Sequence, residues 1–195
     1  MIFASDYRDV TTESPTTVAI GNFDGVHIGH QALVSQAVSL GQECDCTPAI
    51  LTFEPHPTRL LASHIHLSML HSLEERITLL SHYGAELALA QRFDRAFAGL
   101  TPTEFVKNVL VDSMKARTVV VGYDFKFGRR RAGNIETLET LGKTFGFDVH
   151  VIDAQRCADD QIASSSRIRR AVANGQLVEA QACLGRPFHV VGTVV

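Results

Sequence analysis

Tryptophan is missing from the 195-residue sequence, and cysteine, methionine and proline are sparse at four, three and six residues. With 11 Phe against three Tyr, phenylalanine has to supply most of the aromatic packing. The four cysteines, Cys44, Cys46, Cys157 and Cys183, show no Cys-x-x-Cys spacing and are too few for a disulfide framework, so reduced, partly buried thiols are expected. No uninterrupted apolar run approaches the ~20 residues that cross a bilayer, and Asp6, Arg8 and Asp9 break up the start, so neither a membrane span nor a secretory leader is indicated. A cytoplasmic chain is the expectation. An excess of one charge sign is lacking too: 18 Lys plus Arg face 21 Asp plus Glu, a net charge of −3. Such a chain offers no phosphate-tracking surface for nucleic acid, and any anion it binds must be held locally. A Walker loop is absent, since Gly142-Lys143-Thr144 has no glycine five residues before Gly142.

What the sequence does contain is α/β rhythm. Short apolar runs, Gly- or Pro-bearing turns and segments with helical spacing alternate over most of the chain. The runs Thr17 to Ile20, Pro48 to Phe53, Glu86 to Ala90, Thr118 to Gly122 and Asp148 to Ile152 are β-branched or wholly apolar, which predicts strands of a parallel sheet covered on both faces. Helix starts are readable at Ser72-x-x-Glu75, at Thr101-x-x-Glu104 with Pro102 following, and at Asn134. Gly41 and Gly146 are the expected stops of helices over His30 to Leu40 and from Asn134. Two short helices, Ser164 to Ala173 and Gln176 to Leu184, precede Gly185-Arg186-Pro187, after which Phe188 to Val195 reads as a further strand.

The densest chemical signal is Gly21-Asn22-Phe23-Asp24-Gly25-Val26-His27-Ile28-Gly29-His30, between the first predicted strand and the first helix, where open α/β sheets bind ligands. Glycines spaced by four let the backbone approach a ligand, and the helix start offers free N–H groups and a positive dipole end to a phosphate. His27 and His30 can flank the same anion; their spacing lacks the Glu and the i, i+4 geometry of a zinc protease helix. Ser164-Ser165-Ser166-Arg167 reads first as an N-cap, and the same helix start is an anion site to which Arg167 adds a planar fork. Arg169 and Arg170 read as solvated residues or salt-bridge partners. Tyr123, Phe125 and Phe127 alternate after a buried strand, either as core or as a face that stacks on a flat ring. For Phe53 and Pro55-His56-Pro57 the residues leave open a rigid wall for a ring, or a core Phe53 beside an exposed loop histidine. Arg129-Arg130-Arg131 is a solvated run or a guard at an entrance. His64, His66, His71, His82, His150 and His189 are scattered, and no third ligand accompanies His64-x-His66.

His27-Ile28-Gly29-His30 resembles the signature of the nucleotidyltransferase superfamily. The longer string GNFDGVHIGH, with Leu51-Thr52-Phe53-Glu54-Pro55-His56-Pro57, Val121 to Gly128 and Ser164 to Arg169 in that order, resembles the bacterial FAD synthetases over residues 15 to 187. That resemblance implies a three-layer Rossmann-like α/β fold with a parallel sheet and a small flavin-side insertion between the second and fourth predicted strands. It implies transfer of AMP from ATP to FMN, giving FAD and pyrophosphate. The implied catalytic residues are His27, His30, Ser165 and Arg167, and the ATP site comprises Gly21, Asn22, Phe23, Asp24, Gly25, His27, His30, Ser164, Ser165, Ser166 and Arg167. Phe53, Pro55, Pro57, Phe105, Asp124 and Phe127 fall on the flavin side. Mg²⁺ is expected on the phosphates, with no direct protein ligand. The adenylyltransferase domain is expected over 1–185, and 186–195 as the linker and first strand of a riboflavin kinase module that is cut short. Two rivals are a nucleotidyltransferase acting on another small phosphate ester, and a nucleotide- or flavin-binding module without turnover. Oligomeric state is not readable from the sequence.

Overall fold

The computed structural model describes residues 1–62 and 64–192. Six strands form one fully parallel sheet: β1 (Ile2–Ala4), β2 (Thr16–Ile20), β3 (Thr47–Glu54), β4 (Leu87–Arg92), β5 (Ala116–Gly122) and β6 (Asp148–Ile152), in the spatial order β1-β4-β3-β2-β5-β6. All five predicted strands are present, with bounds shifted by at most two residues. β1 is the addition; three residues long and exposed at Ile2 and Phe3, it carries too short a pattern to read as a strand before its pairing with β4 is known.

The helices are α1 (Ile28–Cys44), α2 (Pro57–Leu61), α3 (Leu73–His82), α4 (Arg95–Ala98), α5 (Pro102–Glu104), α6 (Ile135–Phe145), α7 (Ser165–Ala173) and α8 (Leu177–Leu184). α5 runs on without a break as a wider π-helix over Phe105–Ser113. Side chains alternate along the strands as period 2 requires. Val18, Ile20, Leu51, Leu89, Val119 and Val121 pack with the π-helix and α6 on one face, while Ala19, Ile50, Ala88 and Val120 pack with α1 and α3 on the other. A third cluster joins α7 and α8 to Leu70 through Ile168, Ala171, Ala180 and Leu184, with Ala163 buried in it.

Both predicted capping boxes form, at Ser72/Glu75 and Thr101/Glu104, and Asn134 caps α6. Gly41 does not stop α1, which continues to Cys44 and ends at left-handed Asp45. This glycine is there for packing instead: a Cβ on it would come within 2.8 Å of the Cys46 carbonyl. The expectation of reduced thiols holds for the buried Cys157 and Cys183, whereas Cys44 and Cys46 are joined in a disulfide across Asp45. The expected strand from Phe188 is absent over residues 188–192, and 193–195 lie outside the described residues.

β2 is central, and the chain steps from it to β3 and β4 on one side before returning to β5 and β6 on the other. The carboxyl ends of β2 and β5 therefore flank a topological switch point, the place where such sheets leave a crevice.

Candidate active site

At that switch point lies a cleft of about 890 Å³. Its floor is the turn after β2. Phe23 (φ 51°), Gly25 (φ 85°) and Val26 (φ 42°) all sit in the left-handed region, and for a β-branched residue such as Val26 this is strained backbone. The surroundings hold it: Arg186 donates to the carbonyls of Gly25 (2.7 Å) and Val26 (2.9 Å), and Gln31 donates to Val26 (2.8 Å). Thr52 and the wholly buried Arg76 donate to the Asn22 carbonyl at 3.1 and 2.9 Å, and Arg76 is ion-paired with Glu54. A larger residue at Gly25 would be strained by the left-handed backbone and would press a Cβ on the Leu70 side chain at 2.7 Å.

His27 is the N-cap of α1. Its Nδ1 accepts from the amides of Gly29 (3.2 Å) and His30 (3.4 Å), so the neutral ring carries its proton on Nε2. The His30 ring stacks on it with centroids 3.7 Å apart, and Phe23 closes over His30 edge-on at 5.2 Å. Burial pushes the His27 pKa down to about 4, and burial with the neighbouring His27 and Arg76 pushes His30 well below its ordinary value. His56, expected as an exposed loop residue, is instead buried as the N-cap of α2, and burial next to Arg169 lowers it to about 4.

Three histidines that stay neutral when folded give a signed pH dependence. The unfolded chain protonates them near pH 6.5 and the folded chain does not, so stability is complete above about pH 6.5 and is lost as pH falls toward 4. Thermal melts between pH 7.5 and 4.5 should show this decline, and it should be shallower in His56→Gln; an unchanged slope in that variant removes His56 as a contributor.

Opposite α1, the N-terminus of α7 enters the same cleft with Ser164, Ser165 and Ser166. Ser164 caps the helix through the Arg167 amide at 3.3 Å, and the Ser165 hydroxyl donates to the Asp24 carbonyl at 2.7 Å. The Asp24 carboxylate is entirely buried beneath the floor, where it accepts from the Leu70 amide (2.9 Å), the His71 amide (3.3 Å) and Arg169 Nη2 (2.6 Å). Arg169 lines the cleft, whereas Arg167 points away into ion pairs with Asp159 and Glu179. Two helix N-termini thus converge on one end of the cleft, with His27, His30 and Arg169 between them.

The other end is aromatic. Phe53, Phe93, Phe97, Phe105, Phe127 and Phe125 form an unbroken chain of ring contacts with centroids 5.4–6.1 Å apart, Phe125 and Phe127 being stacked at 5.4 Å. Asp124 and Tyr123 are exposed at its edge, and Arg129, Arg130 and Arg131 border the same opening.

Of the residues singled out in the sequence, Gly21, Asn22, His27, His30, Ser164, Ser165, Ser166, Phe53, Pro57, Phe105, Asp124 and Phe127 line this cleft. Phe23, Asp24 and Gly25 lie under its floor, and Pro55 and Arg167 are not among its walls. Arg169, His56, Phe93 and Phe97 are lining residues that the sequence analysis did not single out as ligand contacts. A signal existed for Arg169, which lies one turn after Ser165 on the same helix.

A doubly wound parallel sheet with a crevice at its switch point and two helix N-termini facing into it defines a Rossmann-like α/β domain built to take a ligand at that crevice. The chain belongs to the FAD synthetase family, whose model matches residues 9–167. It is 36% identical over 194 residues to the bifunctional riboflavin kinase/FMN adenylyltransferase of Listeria monocytogenes, covering 97% of this chain and 61% of that protein. Against the protein of the same name from Escherichia coli K12 it is 36% identical over 178 residues, 91% of this chain and 56% of the other. The chain therefore spans about three fifths of the length of these curated relatives. A crystal structure described as a macrolide-efflux protein from Streptococcus pneumoniae superposes with a TM-score of 0.84 at 28% identity, over 96% of this chain and 60% of that one. No helix among the described residues is long and apolar enough to cross a membrane. A pantoate-beta-alanine ligase from Francisella tularensis, with a TM-score of 0.58 and 13% identity over 92% of this chain and 77% of that one, shares the fold.

Proposed function

We propose that this chain is an FMN adenylyltransferase: a phosphate oxygen of FMN attacks the α-phosphorus of ATP, the new P–O bond forms as the bond to the β-phosphate breaks, and FAD and pyrophosphate leave. One observation carries the reading. Two helix N-termini and a neutral histidine pair occupy one end of the cleft and a six-phenylalanine wall the other, which matches a triphosphate at one end and a flat apolar ring system at the other. No nucleophilic side chain is required, because both reacting groups belong to the substrates; the protein aligns them and stabilises charge that grows on the phosphates.

In this reading His27 Nε2–H donates to a phosphate oxygen, His30 holds the His27 ring in place by stacking, and the α1 and α7 amides with Ser164, Ser165 and Ser166 receive the remaining phosphate charge. Arg169 is the cation that faces the ligand, and Arg167 reaches it only if its pairs with Asp159 and Glu179 break. ATP enters as its magnesium complex, the ion neutralising phosphate charge. The cleft suits an ion that phosphate carries, because Ser164, Ser165 and Ser166 offer hydroxyls and His27 a neutral ring to the phosphate oxygens that would hold it. Phe53, Pro57, Phe97, Phe105 and Phe127 border the isoalloxazine, with Asp124 at its polar edge. Residues 1–185 make up the adenylyltransferase unit and 186–195 begin the connection to a kinase module. Riboflavin phosphorylation is assigned to the part of the relatives' length that this chain does not span.

The test is to supply the purified chain with FMN, ATP and Mg²⁺ and follow FAD and pyrophosphate, with riboflavin plus ATP in parallel. FAD from FMN and no product from riboflavin is the expected result. FMN binding without FAD would favour a binding module, and adenylylation of another phosphate ester in place of FMN would favour a different nucleotidyltransferase. Phe97→Ala should raise the KM for FMN about tenfold through lost ring contacts, with little change in the KM for ATP. Equal shifts for both substrates would take the aromatic wall away from the flavin.

A further inference from the structure

We infer that His71, Glu75 and His189 form a binding site for a zinc-class divalent ion, separate from the cleft, that ties the segment after α8 to the N-terminus of α3. His71 is the decisive residue. It is only 3% exposed, and neither of its ring nitrogens has a hydrogen-bond partner in the protein. A buried imidazole with both nitrogens unmet is costly to leave so, and its side chain borders a separate cavity of about 310 Å³ into which Glu75 and His189 also project.

One ligand atom from each of the three residues lies within 4.8 Å of the others. His189 Nε2 stands 3.7 Å from Glu75 Oε1, and the His71 and His189 rings are 5.1 Å apart. Tetrahedral zinc with bonds of about 2.0–2.2 Å holds its ligand atoms roughly 3.4 Å apart, so the widest separation in the cluster must tighten by up to about 1.4 Å. The half-exposed His189, on an irregular segment, has the freedom to supply that movement. The donor chemistry is right: two imidazoles and a carboxylate are a zinc set with a fourth position left for water. Glu75 Oε2 is already fixed by the Ser72 amide at 2.9 Å, which orients Oε1 toward the site. Burial and the nearby Arg186 keep His71 unprotonated, with a lone pair to offer. Arg76, which also borders the cavity, is neutralised by Glu54 and does not compete for the carboxylate.

The His71 amide is one of those held by Asp24, so an ion at this position would anchor residues 186–192 directly to the structure that supports the His27 turn. Neither histidine signals this in the sequence, because they come together only when the chain passes Arg186 and folds back over α3.

The experiment is to strip the chain with a chelator, desalt it and titrate Zn²⁺ against a chromophoric competitor, with Co²⁺ as a spectroscopic probe. One ion per chain at micromolar affinity or tighter is expected, with the visible absorption of four-coordinate cobalt. Glu75→Gln keeps the capping interaction and His189→Ala alters a half-exposed residue, so both should melt like the parent without metal. Each should weaken zinc binding at least about tenfold. Zinc should also slow chymotryptic cleavage after Phe188 in the parent and not in His189→Ala. Absence of micromolar binding, or equal affinity in both variants and the parent, overturns the assignment.

Discussion

Asp24→Ala should lower the stability of the fold by about 3–5 kcal/mol, the cost of removing one partner from a buried ion pair. In a chain of this size that is a fall in Tm on the order of 10 °C. The carboxylate is 0% exposed and meets Arg169 at 2.6 Å and the Leu70 and His71 amides at 2.9 and 3.3 Å. Its removal leaves two backbone donors without acceptors and a guanidinium without its counter-charge. Arg169 is 18% exposed and borders the cleft, so water partly relieves the orphaned cation and the lower end of the range is the better figure. Asp24→Asn should fall between parent and alanine, because an amide oxygen still serves the backbone while the ion pair is lost. A double-mutant cycle with Arg169→Met isolates the pair from the amide contacts. Parent-like urea and thermal unfolding of Asp24→Ala would show that these contacts contribute nothing.

Asp24 also shows where sequence reasoning ends. Its position in a glycine-rich strand-to-helix turn marked it as part of a site, but nothing local indicates that its partners are Leu70, His71 and Arg169. Strands, caps and helix starts were legible because they depend on neighbours in sequence: alternating apolar runs, Ser72 or Thr101 three residues before a glutamate, Asn134 before Ile135. Gly41 misled for a related reason. Glycine after an apolar helix is a common stop, yet here it answers to the Cys46 carbonyl packed against it, a tertiary demand. The three-residue β1 exists only through its pairing with β4.

Arg167 and Arg169 illustrate a signal that was present. On a helix that begins at Ser165, residue 169 lies one turn on and shares the face of Ser165, whereas residue 167 is turned roughly 200° away. Ser165 faces Asp24, so Arg169 does as well, and Arg167 is carried out to Asp159 and Glu179. The aromatic wall divides in the same manner. Tyr123, Phe125 and Phe127 announce themselves by alternation, while Phe93 and Phe97 join them only because β4 ends beside β3, whose Phe53 meets both rings.

His27→Ala should leave FMN binding nearly unchanged and reduce turnover at least about 10²-fold, the usual consequence of removing one transition-state donor. The geometry predicts a second, smaller effect. His27 Nδ1 caps the Gly29 and His30 amides, so alanine also costs about 1 kcal/mol of stability. His27→Asn separates the two. Asparagine is a good N-cap and should restore the melting temperature, but its short side chain does not extend a donor to where Nε2 stands, and turnover should remain low. Charge provides a further test. The free ring resists protonation down to about pH 4, so its role in the unliganded protein is that of a neutral donor. Bound triphosphate places negative charge beside it and raises that pKa, so the pH profile of kcat should differ from that of kcat/KM, and the difference should vanish in the asparagine variant. Parent-like turnover in His27→Ala would remove this residue from the mechanism and leave the α1 and α7 amides with Arg169 as the groups that stabilise the transferring phosphate.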